Sequence, residues 1–414
     1  SNYTSSAFRS YDVWYANYKW IANVNYIIDA EPEMAGTEAD VAYVAGQAYA
    51  IRALCYLNLA TWFSRAPYNS LTGASRWNEP CVPVYTTGTS IDTGGQPRES
   101  LRTVYGRIDQ DIDRAIELLE KARETTLAEN NKSHINLYVA LGIKSRACLA
   151  EGDWDGAFKA AKRVIDEGGY AVGTKSDLTG GMNSLDKQNV MWGAGIQVAD
   201  QAGGYAGFFT HMDNKEGAYA KSAPKLISKQ LYNRISATDI RRDWWDPSDK
   251  ESPYVSKKFS FANVASFLGD YIYMRVEEMY FTAAEAALRL DDLKSARELM
   301  NTVMAERDPG YSANNRSGTL LGATTTTWTG SFLENILTHR RIELWGEYGR
   351  LFDVRRLGQG IDRRTDDGFS EECISMMNRR NVNITKADTY DWVLTIPKAE
   401  LDANPNINEE DQNP

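Results

Sequence analysis

Paired carboxylates are the first feature of this sequence whose spacing suggests chemistry. Glu278 and Glu285 are seven residues apart in a segment with helical periodicity, which places them roughly 10 Å apart along one face of a helix. Glycoside hydrolases cleave with two carboxyl groups, so an all-α glycosidase or lyase is one interpretation. The interpretation we favour is structural, because glutamates on charged helices commonly form ion pairs with arginines. The charged residues Arg340, Arg341, Glu343, Arg350 and Asp353 indicate a helix-packing charge network in the same way.

Metal-binding patterns are weak in this chain. The acidic spacing of a calcium-binding loop occurs at Asp109, Asp111, Asp113 and Glu120. Arg114 stands where the sharp turn of such a loop needs glycine, and the neighbouring apolar residues follow the periodicity of an amphipathic helix. The 3 histidines lie far apart, and the 4 cysteines include no C-x-x-C pair. We therefore expect neither a metal ion nor a cofactor.

Tryptophans in polar loops fit ligand binding better. Trp77 lies in a long loop together with the polar residues Tyr68, Asn69, Arg76 and Asn78. An indole ring stacks on the apolar C–H face of a sugar, while amide and guanidinium groups replace water on the sugar hydroxyls. Further tryptophans in or beside polar loops are Trp192, Trp244, Trp245 and Trp328. Each of these rings either is buried and anchors its loop to the rest of the protein, or faces a ligand.

The remaining tryptophans have helical spacing, and we expect them to pack between helices. They are Trp14, Trp20, Trp62, Trp154 and Trp345.

Charge and composition exclude some partners. The formal net charge is −10 and the pI is about 5.1, which argues against a nucleic-acid groove or an anionic membrane surface, because both need a basic excess. A neutral or zwitterionic ligand fits better. No apolar stretch approaches the roughly 20 residues that a membrane helix needs.

Helices must position most of these residues. Apolar residues at three- and four-residue spacing predict a helical hairpin over 11–28 and 41–62. The loop that follows, over 66–97, is too long to serve only as a connection. Further helices are predicted over 101–119, 135–149, 154–165, 271–290, 293–307 and 332–345. The segment 170–270 is irregular, with a strand predicted over 190–198 and a helix over 225–234.

An internal repeat lies within this helical pattern. Residues 141–165 match residues 280–304 with an offset of 139, as between Ala157 and Ala296. Each copy is a helix-turn-helix of about TPR size, roughly 34 residues. Such units bury their apolar faces only by stacking on one another.

Several segments resemble the SusD/RagB family of nutrient-binding outer-membrane lipoproteins. The resemblance is carried by residues 48–56, 239–242, 273–286, 336–344, 350–358 and 396–414. Within 273–286 the matching pattern is an arginine followed by spaced Tyr, Ala and Glu residues, and within 350–358 it is Arg350-Leu-Phe352-Asp353-Val-Arg355-Arg356. These segments span most of the chain.

The resemblance implies a mostly α fold, an α-α superhelix of TPR-like helical pairs with a loop-rich, irregular ligand-binding half that contains minor β structure. It implies one domain over 1–414, with a framework of about 8–65, 100–168 and 271–357, a variable half of about 66–99, 170–270 and 308–330, and a tail over 359–414.

The resemblance also implies a function. Family members bind glycans without catalysis at the cell surface and deliver them to a SusC-like TonB-dependent transporter, over which they sit as a lid. We expect a lipidated cysteine before Ser1 as the membrane anchor. Because the family's ligand contacts vary, only their location transfers, which makes Trp77 and its loop neighbours the first candidates and Trp244, Trp245 and Trp328 the second. A TPR-type scaffold that binds peptides on its concave helical face is the remaining alternative.

Overall fold

The computed structural model of the chain describes residues 8–125, 127, 131–198, 207–362, 383–384 and 389–414. Its α-helices are α1 (Phe8–Ala30), α2 (Glu38–Phe63), α3 (Leu101–Lys121), α4 (Leu137–Glu151), α5 (Trp154–Glu167), α6 (Lys175–Thr179), α7 (Phe208–Met212), α8 (Ala218–Ser222), α9 (Lys229–Tyr232), α10 (Val276–Arg289), α11 (Leu293–Ala305), α12 (Phe332–Glu343), α13 (Arg350–Leu357) and α14 (Lys398–Ala403). The strands are β1 (Val190–Ala194), β2 (Trp245–Asp246), β3 (Val255–Ser256), β4 (Tyr271–Arg275), β5 (Ile361–Asp362) and β6 (Asn383–Ile384).

The predicted mostly α class with minor β structure is confirmed. Within the described residues the strands form three two-stranded antiparallel sheets, β1 with β4, β2 with β3 and β5 with β6. The predicted N-terminal hairpin is α1 and α2, and the side chain of Thr37 caps α2 by accepting a hydrogen bond from the amide of Asp40 at 3.1 Å. Successive helices α1 to α5 pack side by side, and α10 packs on α5, α11 and α12.

The internal repeat is confirmed down to its turns. The α4–α5 hairpin and the α10–α11 hairpin begin their second helices at Trp154 and Leu293, which preserves the offset of 139. Asp153 and Asp292 cap these helices in the same way, each accepting an amide hydrogen bond at 3.0 Å from the residue three positions on. The two copies therefore share local structure as well as apolar spacing.

Three element boundaries differ from the sequence prediction. Residues 271–275, predicted as the start of a helix, form strand β4, because they pair with β1 in an antiparallel ladder. The helix predicted over 225–234 is limited to α9, since the amide of Ile227 donates to the carbonyl of Tyr254 and holds the preceding segment extended. The strand predicted over 190–198 ends at Ala194.

Buried ion pairs connect the helical framework to the loop-rich half. Arg275, at the end of β4, contacts Glu343 of α12 at 3.0 Å. Arg307 bridges Glu277 and Glu343 at 2.8 and 2.9 Å and also donates to the carbonyl of Gly173 at 2.6 Å. Of the predicted network members, Glu343 is the shared carboxylate of this cluster and Arg340 pairs with Asp353 at 2.9 Å, whereas Arg341 donates to the carbonyl of Thr325 at 3.2 Å.

The C-terminal segment 389–414 returns to the N-terminal hairpin. The amide of Leu394 donates to the carbonyl of Trp62 at 2.8 Å, and the side chain of Asn413 donates to the carbonyl of Phe63 at 2.8 Å. Arg98 donates to the side chain of Asn413 at 2.9 Å. Within the tail predicted over 359–414, residues 363–382 and 385–388 lie outside the described residues.

Candidate functional site

A groove of about 560 Å³ lies between α1, the segment 85–95 and the start of α14. Its volume is in the range typical of small-ligand sites. The lining residues are Tyr11, Trp14, Tyr15, Tyr18, Lys19, Ile21, Ala22, Tyr85, Thr89, Ser90, Thr93, Gly94, Gly95, Pro397, Ala399 and Glu400. Four of them are tyrosines, so the groove combines broad apolar faces with hydroxyl groups.

Helix α1 supplies the aromatic wall. Tyr11 and Tyr15 follow one another at four-residue spacing on the same helix face, and their rings stack with centroids 5.5 Å apart and an angle of 10° between planes. They are 43% and 51% exposed. The Lys19 ammonium lies 5.8 Å from the centre of the Tyr15 ring. This wall therefore presents stacked rings and a cation to solvent.

The opposite wall is held in place by Arg52, a buried residue of α2. Arg52 makes a two-pronged ion pair with Asp111 of α3, at 2.7 Å for each contact. Its remaining nitrogen donates to the side chain of Asn25 at 2.7 Å and to the carbonyl of Thr86 at 2.9 Å. Asn25 donates in turn to the carbonyl of Tyr85 at 3.2 Å. The Arg52 guanidinium therefore connects the 85–95 segment to α1, α2 and α3.

Further hydrogen bonds fix the same loop to α1 and α2. The hydroxyl of Tyr56 donates to the carbonyl of Tyr85 at 2.8 Å and accepts from its amide at 2.7 Å. The carboxylate of Asp29 accepts from the amide of Gly88 at 2.6 Å, and the Tyr26 hydroxyl donates to the carbonyl of Thr89. The loop wall is therefore preorganised before any ligand binds.

The C-terminal segment closes one side of the groove. Glu400 accepts from the indole of Trp14 at 3.2 Å and from the side chain of Asn404 at 2.7 Å. Asn404 also donates to the carbonyl of Gln96 at 2.8 Å. At Gly95 a Cβ atom would lie 2.1 Å from the Asn404 side chain, so this close approach requires glycine.

The hydroxyls of Tyr18 and Tyr85 in the groove stay neutral at physiological pH. Burial raises the pKa of Tyr18 well above its usual value, and the nearby Tyr56 and Glu400 raise it further. Burial also raises the pKa of Tyr85, although the hydrogen bond that its oxygen accepts from the Gln96 amide at 3.0 Å opposes this. Neutral phenols, hydroxyls and aromatic faces suit uncharged polar ligands such as sugars.

The residues predicted around Trp77 lie in one loop, but two of them hold that loop together. Asn69 is buried and accepts from the amides of Leu71 and Thr72 at 2.9 and 3.0 Å. Arg76 is buried and donates to the carbonyl of Ala66 at 3.1 Å. Their prediction as ligand contacts is therefore wrong, because both side chains satisfy backbone groups inside the loop.

The other predicted residues of this loop keep some exposed surface. The half-buried ring of Trp77 packs edge-on against Tyr105 at 5.7 Å, with the Arg102 guanidinium 5.7 Å from its centre. Tyr68 is half-buried and packs on Trp154, whereas Asn78 is exposed. These three remain candidates, but the groove lining includes none of them.

The predicted pair Trp244 and Trp245 is buried. The two rings are only 2% and 1% exposed and belong to a second apolar cluster with Ile227, Leu231 and Ile342. The indole of Trp244 donates to the carbonyl of Leu178 at 2.8 Å. The prediction that they contact a ligand is wrong, because the rings are buried in this cluster and anchor their loop to the rest of the protein.

The remaining tryptophans divide between packing and exposure. Trp328 is half-buried beneath the Arg234 guanidinium, 4.0 Å from its ring centre, and Trp192 packs against Tyr273 at 5.0 Å. Trp20, predicted to pack between helices, is 52% exposed, so that prediction is wrong. It lies on α1 but outside the groove.

The carboxylate pair of the enzymatic alternative is closed to substrate. Glu278 is buried against Arg146 at 2.7 Å, and Glu285 is buried against Arg356 at 2.7 Å. Burial by itself would raise the pKa of Glu285, but Arg356 and Arg289 lower it overall, so this carboxylate stays ionised. Among the described residues no group of histidine, cysteine and acidic side chains is arranged to hold a metal ion.

The groove was missed by sequence reasoning. Tyr11 and Tyr15 have the spacing of a packed helix face, and that pattern by itself does not distinguish burial from exposure. The other two walls of the groove come from segments that lie about 70 and 385 positions beyond α1 in the sequence. The hydrogen bond from Trp14 to Glu400, for example, joins residues that are 386 positions apart. The one relevant signal in the sequence was the excess of tyrosine over phenylalanine, 23 against 12, which indicated that many aromatic rings carry a hydroxyl group.

Stacked helical hairpins carry an aromatic groove that is formed by α1, the segment 85–95 and the C-terminal segment. Two family models match the chain: one described as the SusD family over residues 214–414, and one described as starch-binding and associating with the outer membrane over residues 1–149. The chain belongs to the SusD family.

Solved structures share the fold. A SusD-like carbohydrate binding protein from Bacteroides vulgatus is 26% identical with a TM-score of 0.77, over 96% of this chain and 83% of that one. Surface glycan-binding protein A from Bacteroides uniformis is 17% identical with a TM-score of 0.66, over 97% and 84%. A laminarin binding SusD-like protein is 19% identical with a TM-score of 0.67, over 97% and 85%. No curated protein sequence matches the chain. None of the described helices is long and apolar enough to cross a membrane.

Proposed function

We propose that this protein binds an oligosaccharide without catalysis at the outer surface of a bacterial outer membrane, with the groove at α1 as its main site. Two observations from the comparisons support this: the family model over residues 1–149 describes starch binding, and the relative from Bacteroides vulgatus is named a carbohydrate binding protein. The observation that carries the proposal for this chain is the exposed stack of Tyr11 and Tyr15 in a preorganised groove.

The chemistry of the groove suits a sugar chain. The exposed parts of the two stacked rings offer apolar surface for pyranose C–H groups. The hydroxyl of Tyr85 accepts from the Gln96 amide and has no acceptor for its own proton among the described residues, so it is able to donate to a sugar hydroxyl. With one such site, affinities in the micromolar to millimolar range, about −8 to −4 kcal/mol, are expected.

The direct test is a glycan array followed by calorimetric titration with the best oligosaccharide. We expect the Tyr15→Ala variant to bind about tenfold more weakly, since losing one stacked ring costs on the order of 1.4 kcal/mol. Trp20→Ala is the matched control, because it removes an exposed aromatic ring from the same helix outside the groove. Equal losses in both variants, or unchanged binding in Tyr15→Ala, would refute the groove as the site.

Trp77 and Asn78 form a second proposed contact region. Their loop follows α2, where the family resemblance locates ligand contacts, and Trp77 keeps part of its ring exposed. Trp77→Ala is expected to weaken the binding of longer oligosaccharides while leaving the folded state intact. If affinity for long and short oligosaccharides is unchanged in this variant, Trp77 has no part in binding.

Two other functions make different predictions. An enzyme would release new reducing ends from the array hits, whereas a binder leaves the chain length unchanged. A peptide-binding scaffold would bind extended peptides and be insensitive to the loop tryptophans. The buried ion pairs of Glu278 and Glu285 leave the enzymatic alternative without its proposed acid and base.

We further propose that the protein is tethered by a lipid attached ahead of Ser1 and passes its ligand to a SusC-like TonB-dependent transporter. This part rests on the family resemblance. Co-purification of the full-length protein with a transporter encoded beside it is the expected result. Purification of that transporter without this protein, under conditions that preserve other such complexes, would contradict the proposal.

A further inference from the structure

The third wall of the groove belongs to a loop whose two ends are joined by hydrogen bonds. The loop runs from Ile396 to Gln412 and includes α14. At its base the side-chain amide of Gln412 donates to the carbonyl of Ile396 at 3.0 Å and accepts from the backbone amide of the same residue at 2.7 Å. This exchange has the pattern of a hydrogen-bonded strand pair, with a side chain in place of the second strand. The loop is therefore closed at its base.

A second set of hydrogen bonds fixes this base to the rest of the protein. The side chain of Asn413, only 4% exposed, donates to the carbonyls of Phe63 and Leu394 at 2.8 Å each. Phe63 is the last residue of α2, so one amide group connects the base of the loop to a framework helix. Arg98 donates to the Asn413 side chain at 2.9 Å and to the carbonyl of Asp411 at 2.5 Å. The amide nitrogen and the oxygen of Asn413 thus both have partners.

The opposite end of the loop contacts the other two walls of the groove. Glu400 accepts from the indole of Trp14 on α1 at 3.2 Å. Asn404 and Asn406 donate to backbone carbonyls of residues 95–96, at 2.8 and 2.5 Å. The loop therefore connects the helical wall to the loop wall, and its own position depends on the hydrogen bonds at its base.

We propose that Gln412 and Asn413 are positioning residues of the groove. This inference rests on the proposed function, because the groove is the site that they position. Neither residue lines the groove. They act through the loop, by fixing the place of Glu400 and α14 against α1. Because a wall that is fixed in advance spares the ligand the cost of ordering it, loosening the base weakens binding even though every lining residue is still present.

Calorimetric titration of Asn413→Ala with the best oligosaccharide from a glycan array tests the proposal. We expect about fivefold weaker binding at a temperature where the variant is folded, because ordering the wall costs about as much as one hydrogen bond. If Asn413→Ala does not fold, Gln412→Ala replaces it, with the same expected direction.

Asn214→Ala is the matched control for a general loss of stability. The Asn214 side chain also holds a loop by two backbone hydrogen bonds, to the carbonyl of Ser256 at 2.7 Å and from the amide of Lys225 at 2.8 Å, but it does not line the groove. Its loss is expected to lower the melting temperature by a similar amount and to leave affinity unchanged. Equal affinity losses in the two variants, or unchanged affinity in Asn413→Ala, would overturn the proposal.

Fluorine NMR of the protein labelled with 5-fluorotryptophan gives a readout that needs no ligand. Trp14→Phe identifies the Trp14 resonance among those of the 11 tryptophans. Asn413→Ala is expected to shift or broaden this resonance, because Glu400 is no longer held beside the indole, whereas Asn214→Ala should leave it unchanged. An unaltered Trp14 resonance in Asn413→Ala would overturn the proposal. Absence of glycan binding by the unaltered protein would instead refute the proposed function, and the resonance would still decide whether Asn413 holds the wall.

Discussion

At the scale of single residues, the groove depends on Arg52. This residue resembles the framework arginine of the family, yet its side chain also reaches the loop that forms one wall of the groove. A framework position therefore fixes one wall of the proposed ligand groove. The ion pair with Asp111 keeps the guanidinium oriented toward Thr86 and Asn25.

Removing the Asp111 carboxylate tests this role. Asp111→Ala leaves Arg52 buried without its partner, which is expected to lower the free energy of unfolding by about 3–5 kcal/mol. The loop wall should loosen, and oligosaccharide affinity should fall with it. Chemical denaturation and calorimetric titration measure the two effects. Asp113→Ala is the control, since Asp113 is an exposed partner of Lys144 and its loss should have little effect. Similar stability in both variants would contradict the role given to Arg52.

Glu151 makes a pH-dependent contribution to stability. Burial, together with the neighbouring carboxylates of Asp109 and Asp153, raises its pKa to about 9, and Lys144 opposes this shift. In the unfolded chain the same group titrates near its ordinary value of 4.5. The folded state therefore binds more protons than the unfolded state over this range, so Glu151 costs increasing stability as pH rises from about 4.5 to about 9.

Glu151→Gln imitates the protonated form and removes this pH dependence. The melting temperature of the variant is expected to exceed that of the unaltered protein by a margin that grows between pH 5 and pH 9 and then levels off. Thermal scans in a series of buffers measure the margin. A margin that is constant with pH, or that shrinks as pH rises, would show that Glu151 is ionised in the folded protein.

At the scale of elements, the repeat shows how far sequence reasoning reaches. Helical spacing is a local property, and it predicted both hairpins and their offset of 139. The turns of the two copies match as well: Gly152 and Asp291 precede the caps with φ values of 77° and 61°. A left-handed backbone is easy for glycine and unfavourable for other residues, although aspartate tolerates it better than most.

The two turns provide a paired substitution test. Asp291→Gly should raise the free energy of unfolding by about 0.5–1 kcal/mol, because it relieves the left-handed conformation. Gly152→Ala should lower it by more than that amount, since a Cβ atom there would also lie 2.6 Å from the ring of Tyr68. Chemical denaturation of both variants measures the difference. Destabilisation by Asp291→Gly would show that the aspartate side chain has a favourable role at this turn.

Other elements were mispredicted for physical reasons. Residues 271–275 precede α10 without a break in apolar character, and only the pairing with β1 makes them a strand. Trp244 and Trp245 stand between polar residues, and their burial depends on the nearby α9 and on α6 and α12, which are distant in sequence. The groove itself needs α1, the 85–95 loop and the C-terminal segment together, so no local pattern contains it.

At the scale of the whole molecule, the buried ion pairs and the proposed groove use different residues. The stacked helices and their buried ion pairs hold the framework, and Glu278 and Glu285 belong to that framework. The groove is formed by one face of α1, the segment 85–95 and the start of α14. In the proposed site α1, a framework helix, supplies the stacked rings, so we expect changes of ligand to come from the other two walls.

The crystal structure of the protein bound to its best oligosaccharide from a glycan array tests the central claim most directly. Our account predicts sugar rings in the groove, stacked on Tyr11 and Tyr15, with hydroxyls near Tyr85. An oligosaccharide seated only against Trp77, or at any other surface with the groove empty, would contradict it.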